Sequence, residues 1–218
     1  MIGIIDYGIG NLGSVSNAIK KLSRDFLISD DPSRLLKAEI LILPGVGSAR
    51  EGMKNINKRK LDKFLFEEIK KGKPFLGICL GMQLLFEESE EGDVSCLGIL
   101  KGKVKKFLIE RKIPQIGWNQ VRIKSHFLRD KAWAGNYESG IKNKLFTQIP
   151  DNSFFYFVNS FYCIPENKSI IAGETLYGEK FASIIVKNNI MATQFHPEKS
   201  GKVGFQLLSN FIRKFYVN

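Results

Sequence analysis

Cys79 stands at the centre of Gly77-Ile78-Cys79-Leu80-Gly81-Met82-Gln83, directly after the apolar run Pro74-Phe75-Leu76. A cysteine between glycines, at the junction of a buried strand and an apolar helix, fits the sharp turn that displays a nucleophile. The glycines permit the tight path and the side chain emerges at the helix N-terminus. Unpaired N–H groups and the helix dipole there favour the reactive thiolate, and the next amide, that of Leu80, can point at a developing oxyanion. This is one half of an acyl-transfer site. The other half is a general base, and the chain has two histidines. His126 lies in a polar, basic stretch, whereas His196 closes the apolar segment Ile190-Met191-Ala192-Thr193-Gln194-Phe195 and precedes Pro197 and Glu198. On an extended segment residues i and i+2 share a side, so Glu198 can lie beside His196, fix its tautomer and stabilise the imidazolium. The spacing nominates Cys79, His196 and Glu198 as a triad. Each piece alone has a plainer reading, the cysteine as a small buried hydrophobe and the His–Glu pair as a hydrogen bond at a strand end.

The elements that must hold these residues alternate along the chain. Residues 1–6 read as a buried strand, and 11–22 as a helix with Leu12, Val15, Ala18, Ile19 and Leu22 at helical spacing. Short strands are expected at 26–29 and 40–43 with a helical turn between them. An amphipathic helix follows at 61–70, a buried strand at 74–78, and a helix behind the nucleophile starting at 81–86. Such alternation predicts an α/β fold, a mostly parallel sheet with helices on both faces and the site at the carboxyl ends of its strands. The second half is richer in strands, at 104–107, 120–123, 153–163, 170–174, 182–187 and 190–194, which should extend and flank the core. A last helix at 204–215 packs Phe205, Leu208, Phe211 and Ile212 back on the sheet. Residues 124–144, polar and without period, read as a long loop or insertion.

A chain of 218 residues with 44% hydrophobic content has the size of one α/β domain, spanning 1–218. The opening Met1-Ile2-Gly3-Ile4-Ile5-Asp6 lacks the basic region of a signal peptide, and no apolar run approaches membrane-spanning length. Cysteines 79, 96 and 163 form no C-x-x-C pair, which argues against a disulfide framework or zinc site and for a reducing, cytoplasmic setting. The net charge of +11 gathers at 54–73 and 101–112. Those clusters lack interleaved stacking aromatics and sit among Asp62, Glu67 and Glu68, so they read as solvated faces and not as a nucleic-acid surface.

Taken together, Leu43-Pro44-Gly45-Val46-Gly47-Ser48, the Cys79 motif and Gln194-Phe195-His196-Pro197-Glu198-Lys199-Ser200 resemble the motifs of the triad, or class I, glutamine amidotransferases, over nearly the whole chain. Asp6-Tyr7-Gly8-Ile9-Gly10-Asn11-Leu12, Ile116-Gly117-Trp118-Asn119 and Tyr156-Phe157-Val158 most resemble the glutaminase subunits of imidazole glycerol phosphate synthase within that family. The resemblance implies a flavodoxin-like fold, glutamine as substrate, and neither metal nor cofactor. Cys79 would attack the side-chain amide and form a thioester, and His196 would protonate the departing ammonia and then activate water. Leu80 N–H and the loop centred on Val46, between Gly45 and Gly47, would bind the oxyanion. Gln83 and the segment Asn159-Ser160-Phe161 would hold the substrate.

Ammonia released into bulk water would be protonated, and no acceptor domain is evident in the chain, so a separate subunit is expected. The resemblance makes it a (β/α)8-barrel cyclase forming imidazole glycerol phosphate and aminoimidazole carboxamide ribonucleotide, docked as a heterodimer on Leu12, Trp118, Asn119, Tyr156 and Lys199. The chain departs from the family in having Gln115 and Asn159 where histidines are common, and Phe161 where tyrosine is common. Those departures and the 124–144 stretch leave open an amidotransferase serving surface-sugar amidination. A non-catalytic scaffold of the same fold and a cysteine protease are weaker readings, because the triad is intact and the Pro44–Ser48 loop with Gln83 suits glutamine.

Overall fold

Four runs, β1 (Ile2–Ile5), β3 (Ile40–Leu43), β4 (Phe75–Ile78) and β13 (Ile190–Thr193), are buried at every position. Continuous burial is what parallel strands covered on both faces require. With β2 (Phe26–Ser29) they form a parallel sheet in the order β2-β1-β3-β4-β13. The computed structural model describes residues 1–22, 24–128 and 144–216. Alternation along each strand divides the core between the two faces. Ile2, Ile4, Ile40, Ile42, Leu76 and Ile78 meet α1 (Leu12–Lys21) and α7 (Gly201–Phe215) on one side. On the other, Ile5, Leu41, Leu43 and Phe75 meet α3 (Ala49–Lys58) and α4 (Leu61–Lys70). The one-turn helix α2 (Pro32–Leu35) joins β2 to β3. The expected α/β architecture is borne out.

Beyond β13 the sheet turns antiparallel through β12 (Glu179–Lys187), β10 (Phe161–Pro165) and β7 (Gly102–Lys106), and ends on the two-residue strands β5 (Glu88–Ser89) and β6 (Val94–Ser95). A branch leaves β12 through β11 (Ile171–Tyr177) to β8 (Gln115–Ile123) and β9 (Ser153–Asn159). The structure corrects several expectations. Residues 153–163 are two strands broken at Ser160, because β9 pairs with β8 while β10 pairs with β7 and β12. The strand expected at 120–123 begins at Gln115. Helix α3 was not foreseen, since polar and charged side chains fill most of it, yet Ser48-Ala49-Arg50-Glu51 is a capping-box sequence and the Ser48 hydroxyl accepts the Glu51 N–H at 3.3 Å. The helix behind the nucleophile, α5 (Leu80–Gln83), is a single turn and continues only as turns to Phe86. A short turn, α6 (Ser125–Leu128), opens the 124–144 stretch, and its residues 129–143 lie outside the described residues. Among the described residues no helix is long and apolar enough to cross a membrane.

Candidate active site

Cys79 lies between β4 and α5, as the N-cap of α5, with φ 55° and ψ −109°, a conformation outside the ordinary left-handed basin. Its N–H donates to the Thr193 carbonyl at 2.7 Å, which pins the turn to β13. Gly81 is obligatory here, because a Cβ on it would stand 1.9 Å from the Leu43 carbonyl oxygen. The close approach brings the end of β3, and the loop 44–47 after it, against the Cys79 turn. Leu80 occupies the first position of α5, where a helix leaves its N–H without an internal partner.

His196 follows β13 in extended conformation, 2% exposed, and a 3₁₀ turn over Pro197–Lys199 carries Glu198 back beneath it. The imidazole Nδ1 lies 2.9 Å from Glu198 Oε1, and both side chains are almost wholly buried. The pair therefore meets through a tight turn and not through the i, i+2 alternation of an extended strand. Burial by itself would push the imidazole down. Hydrogen bonding to the Cys79 sulfur and to Glu198 outweighs it and holds His196 above its ordinary value. The His196 N–H donates to the Tyr156 carbonyl at 2.9 Å, and the Ser200 hydroxyl accepts the Tyr156 N–H at 3.0 Å and donates to the His196 carbonyl at 2.6 Å. The loop that carries His196 is thus stitched to β9. His126 sits exposed on α6, away from the cavity.

A cavity of about 230 Å³ is lined by Cys79, Leu80, His196, Val46, Gly47, Gln83, Asn159, Ser160 and Phe161, joined by Glu91, Pro114 and Val158. Gly47 has φ +99°, and Val46 is 40% exposed. Gly45 lies behind the wall, where a Cβ would come within 2.5 Å of the Tyr7 hydroxyl and 2.6 Å of Leu80 Cβ. That hydroxyl is buried without a partner among the described residues, and burial beside Cys79 pushes it up. Gln83 lines the cavity, but its amide nitrogen is engaged by the Phe161 carbonyl at 3.1 Å and Gln194 Oε1 at 3.0 Å. The two departures from the family, Gln115 and Asn159, are cross-strand partners, both buried, with one amide oxygen of each unpaired among the described residues.

Glu91 was not singled out from the sequence, where nothing separates it from Glu87, Glu88 and Glu90. Fold geometry selects it: burial pushes its carboxyl up, against the opposing effect of the Ala49 N–H that donates to it at 2.8 Å. On the outer face of β8 and β9, Trp118 is 55% exposed and packs edge-on against Tyr156 at 6.0 Å. Ile116, Phe154 and Val158 extend this apolar face. Lys199, three residues after His196, is exposed. Asn119 lies on the inner row of β8, its amide bonded to the Leu176 carbonyl at 3.0 Å, and Leu12 is half-buried against the core.

The sequence model of the glutamine amidotransferase class-I family matches residues 4–215. The imidazole glycerol phosphate synthase subunit HisH of Dehalococcoides mccartyi strain CBDB1 is 42% identical over 98% of this chain and 97% of its own. A protein described as imidazole glycerol phosphate synthase subunit HisH 2 in Methanococcus maripaludis is 45% identical over 98% of this chain and 100% of its own. Two solved structures share the fold at 15% identity. A crystal structure of a glutamine amidotransferase has a TM-score of 0.73 over 99% of both chains. The structure of PurLQS from Thermotoga maritima has 0.68 over 99% of this chain and 98% of that one. An end-to-end match of this kind, on a chain whose Cys79 and His196 line one cavity with Glu198 bonded to the imidazole, shows that the chain belongs to the class I glutamine amidotransferase family.

Proposed function

We propose that this chain is the glutaminase subunit of an imidazole glycerol phosphate synthase. The observation that carries the reading is the meeting of Cys79, at a positive-φ turn, and His196 on one cavity, with buried Glu198 bonded to the imidazole. The HisH relatives, aligned over nearly all of the chain, supply the pathway. In this reading Cys79 attacks the carboxamide carbon of glutamine, the C–N bond breaks as His196 gives its proton to the leaving ammonia, and water then releases glutamate from the thioester. Glu198 orients the imidazole and balances its charge. Leu80 N–H and the peptide groups around Val46 take the oxyanion, with Gly45 and Gly47 giving that loop its freedom. Gln83 and 159–161 form the wall for the amino-acid end. Glu91, the one acidic residue lining the cavity among the described residues, is matched to an α-ammonium group.

Ammonia would pass to a barrel cyclase subunit docked on the exposed face of Trp118 and Tyr156, with Lys199 and the start of α1 at its margin. The whole chain would act as one domain in the cytoplasm. The matches do not favour surface-sugar amidination or a silent scaffold. The test has two parts. Cys79→Ala should abolish glutamine-dependent turnover of the complex and spare ammonia-dependent turnover, and the wild-type gene should restore growth without histidine to a strain lacking this subunit. Glutamine turnover retained by Cys79→Ala removes the nucleophile assignment, and failed complementation by a well-expressed chain removes the pathway.

A further inference from the structure

Gln194 precedes the base by two residues and has no exposed surface. It does not line the cavity, yet its amide nitrogen lies 3.7 Å from Cys79 Sγ. The orientation of that amide follows from its neighbours. The Phe161 carbonyl can only accept, so the Gln83 group facing it at 3.1 Å is the NH₂. The same nitrogen meets Gln194 at 3.0 Å, so Gln194 must present its oxygen to Gln83 and its NH₂ to the sulfur. Direction is thus passed from the start of β10 through Gln83 and Gln194 to the nucleophile. A second, opposing contact reaches the sulfur from Val158, whose carbonyl lies 3.7 Å from Sγ. A carbonyl oxygen accepts from a thiol and repels a thiolate, whereas an amide N–H holds a thiolate better than a thiol.

We infer that Gln194 is a positioning residue of the reaction, a buried hydrogen-bond donor that holds the Cys79 sulfur in its reactive form and place, its own amide oriented by Gln83 and the Phe161 carbonyl. The inference rests on Cys79 as nucleophile but not on glutamine turnover. Other titratable groups face the sulfur: His196 with Glu198 behind it, Tyr7, Cys163 on β10 and Glu91 across the cavity. All are retained in the variants, so a change in the sulfur's behaviour reports on the amide.

The test is the rate of iodoacetamide alkylation of Cys79 in the full chain as a function of pH, read on the peptide that carries it. In Gln194→Met the donor is gone and the Val158 carbonyl remains, so the profile should move to higher pH by about one unit, which is about tenfold slower near neutrality. Gln194→Glu keeps the size and still accepts from Gln83, but turns a carboxylate oxygen on the sulfur. Its shift should be larger, and it can be read even if the methionine variant does not fold. Gln83→Met frees the amide to turn and should give a smaller shift in the same direction. With the partner present, Gln194→Met should lose about tenfold in kcat at neutral pH while KM for glutamine changes less than about twofold, because Gln194 does not line the cavity and Gln83, which does, keeps its bond to the Phe161 carbonyl. A merely structural role would move neither the alkylation profile nor this split. A profile matching wild type in either folded Gln194 variant overturns the inference. A wild-type chain that alkylates as expected but yields no ammonia from glutamine would instead sink the glutaminase reading alone.

Discussion

The conformation of Cys79 carries a measurable load. With φ 55° and ψ −109° its Cβ is held where a side chain is disfavoured, at a cost of about 1–3 kcal/mol for a residue outside the populated regions. Cys79→Ala keeps the Cβ and hence the strain, while Cys79→Gly releases it. Opposing that release, glycine loses about 0.5–1 kcal/mol more backbone freedom on folding than alanine, and one buried carbon is worth about 0.8 kcal/mol. At an unstrained buried site the change from alanine to glycine therefore costs about 1.5 kcal/mol, or about 3–6 °C in a chain of this length. At position 79 the release of about 2 kcal/mol offsets this, so the glycine variant should melt within about 2 °C of the alanine variant, or above it. Ala192→Gly, at a fully buried position of β13, is the control and should show the ordinary loss. Both Cys79 variants should lack glutamine-dependent activity, so stability and function separate at one residue. A Cys79→Gly chain that melts about 3–6 °C below Cys79→Ala would refute the idea that the turn is strained.

Gly81→Ala should destabilise the chain by about 3 kcal/mol or more, since its Cβ would stand 1.9 Å from the Leu43 carbonyl oxygen and neither backbone can retreat freely. An unchanged denaturation midpoint would show that the approach is not close. Glu198→Gln should lower glutamine turnover about 10- to 100-fold, the worth of one charge-assisted hydrogen bond, and so less than loss of the thiol. Wild-type rates would remove Glu198 from the mechanism. Trp118→Ala should weaken the complex with the cyclase by more than about 1 kcal/mol and leave the melting of the isolated chain unchanged, because the ring is already 55% exposed. Equal binding by titration calorimetry would take Trp118 off the interface. On partner binding, amide exchange at Tyr156 and His196 should slow together, and independent responses would separate docking from the base loop.

The parallel sheet was legible because its strands are uninterrupted apolar runs, and α1 and α4 because their apolar residues keep helical spacing. Helix α3 escaped because only Ala49, Met53 and Ile56, with Gly52, turn inward, leaving little pattern among its charges. The break at Ser160 escaped for another reason. The apolar run resumes directly after Asn159-Ser160, and the choice of neighbours is what divides β9 from β10. Of the candidate site, the grouping of Cys79, His196 and Glu198 was legible from motif spacing. Glu91, Gln194 and Tyr7 were not given roles, because each matters only through an approach made in three dimensions: to the Ala49 N–H, to the Cys79 sulfur, and to Gly45. The paired positions Gln115 and Asn159 make the same point, since distant departures from a family pattern become one local change once β8 and β9 are in register.

Strand β9 explains why the proposed docking face and the catalytic groups belong to one structural unit. Its odd residues, Phe155, Phe157 and Asn159, are buried and pair in register with β8. The even residues Phe154, Tyr156 and Val158 send their side chains outward, and in an antiparallel pair their main-chain groups face the edge away from β8. That edge is where the site is attached. Tyr156 holds the base loop through its carbonyl and its N–H, and the Val158 carbonyl meets the Cys79 sulfur. A partner that packed on the Trp118–Tyr156 face would therefore press on the peptide groups that fix His196 and face the Cys79 sulfur. A rotation of β9 that tightened the two Tyr156 bonds would also move the Val158 carbonyl relative to the sulfur, shifting the balance it keeps with Gln194. Coupling of this kind needs no relay of side chains, because one strand carries the docking surface on its face and the catalytic attachments on its edge.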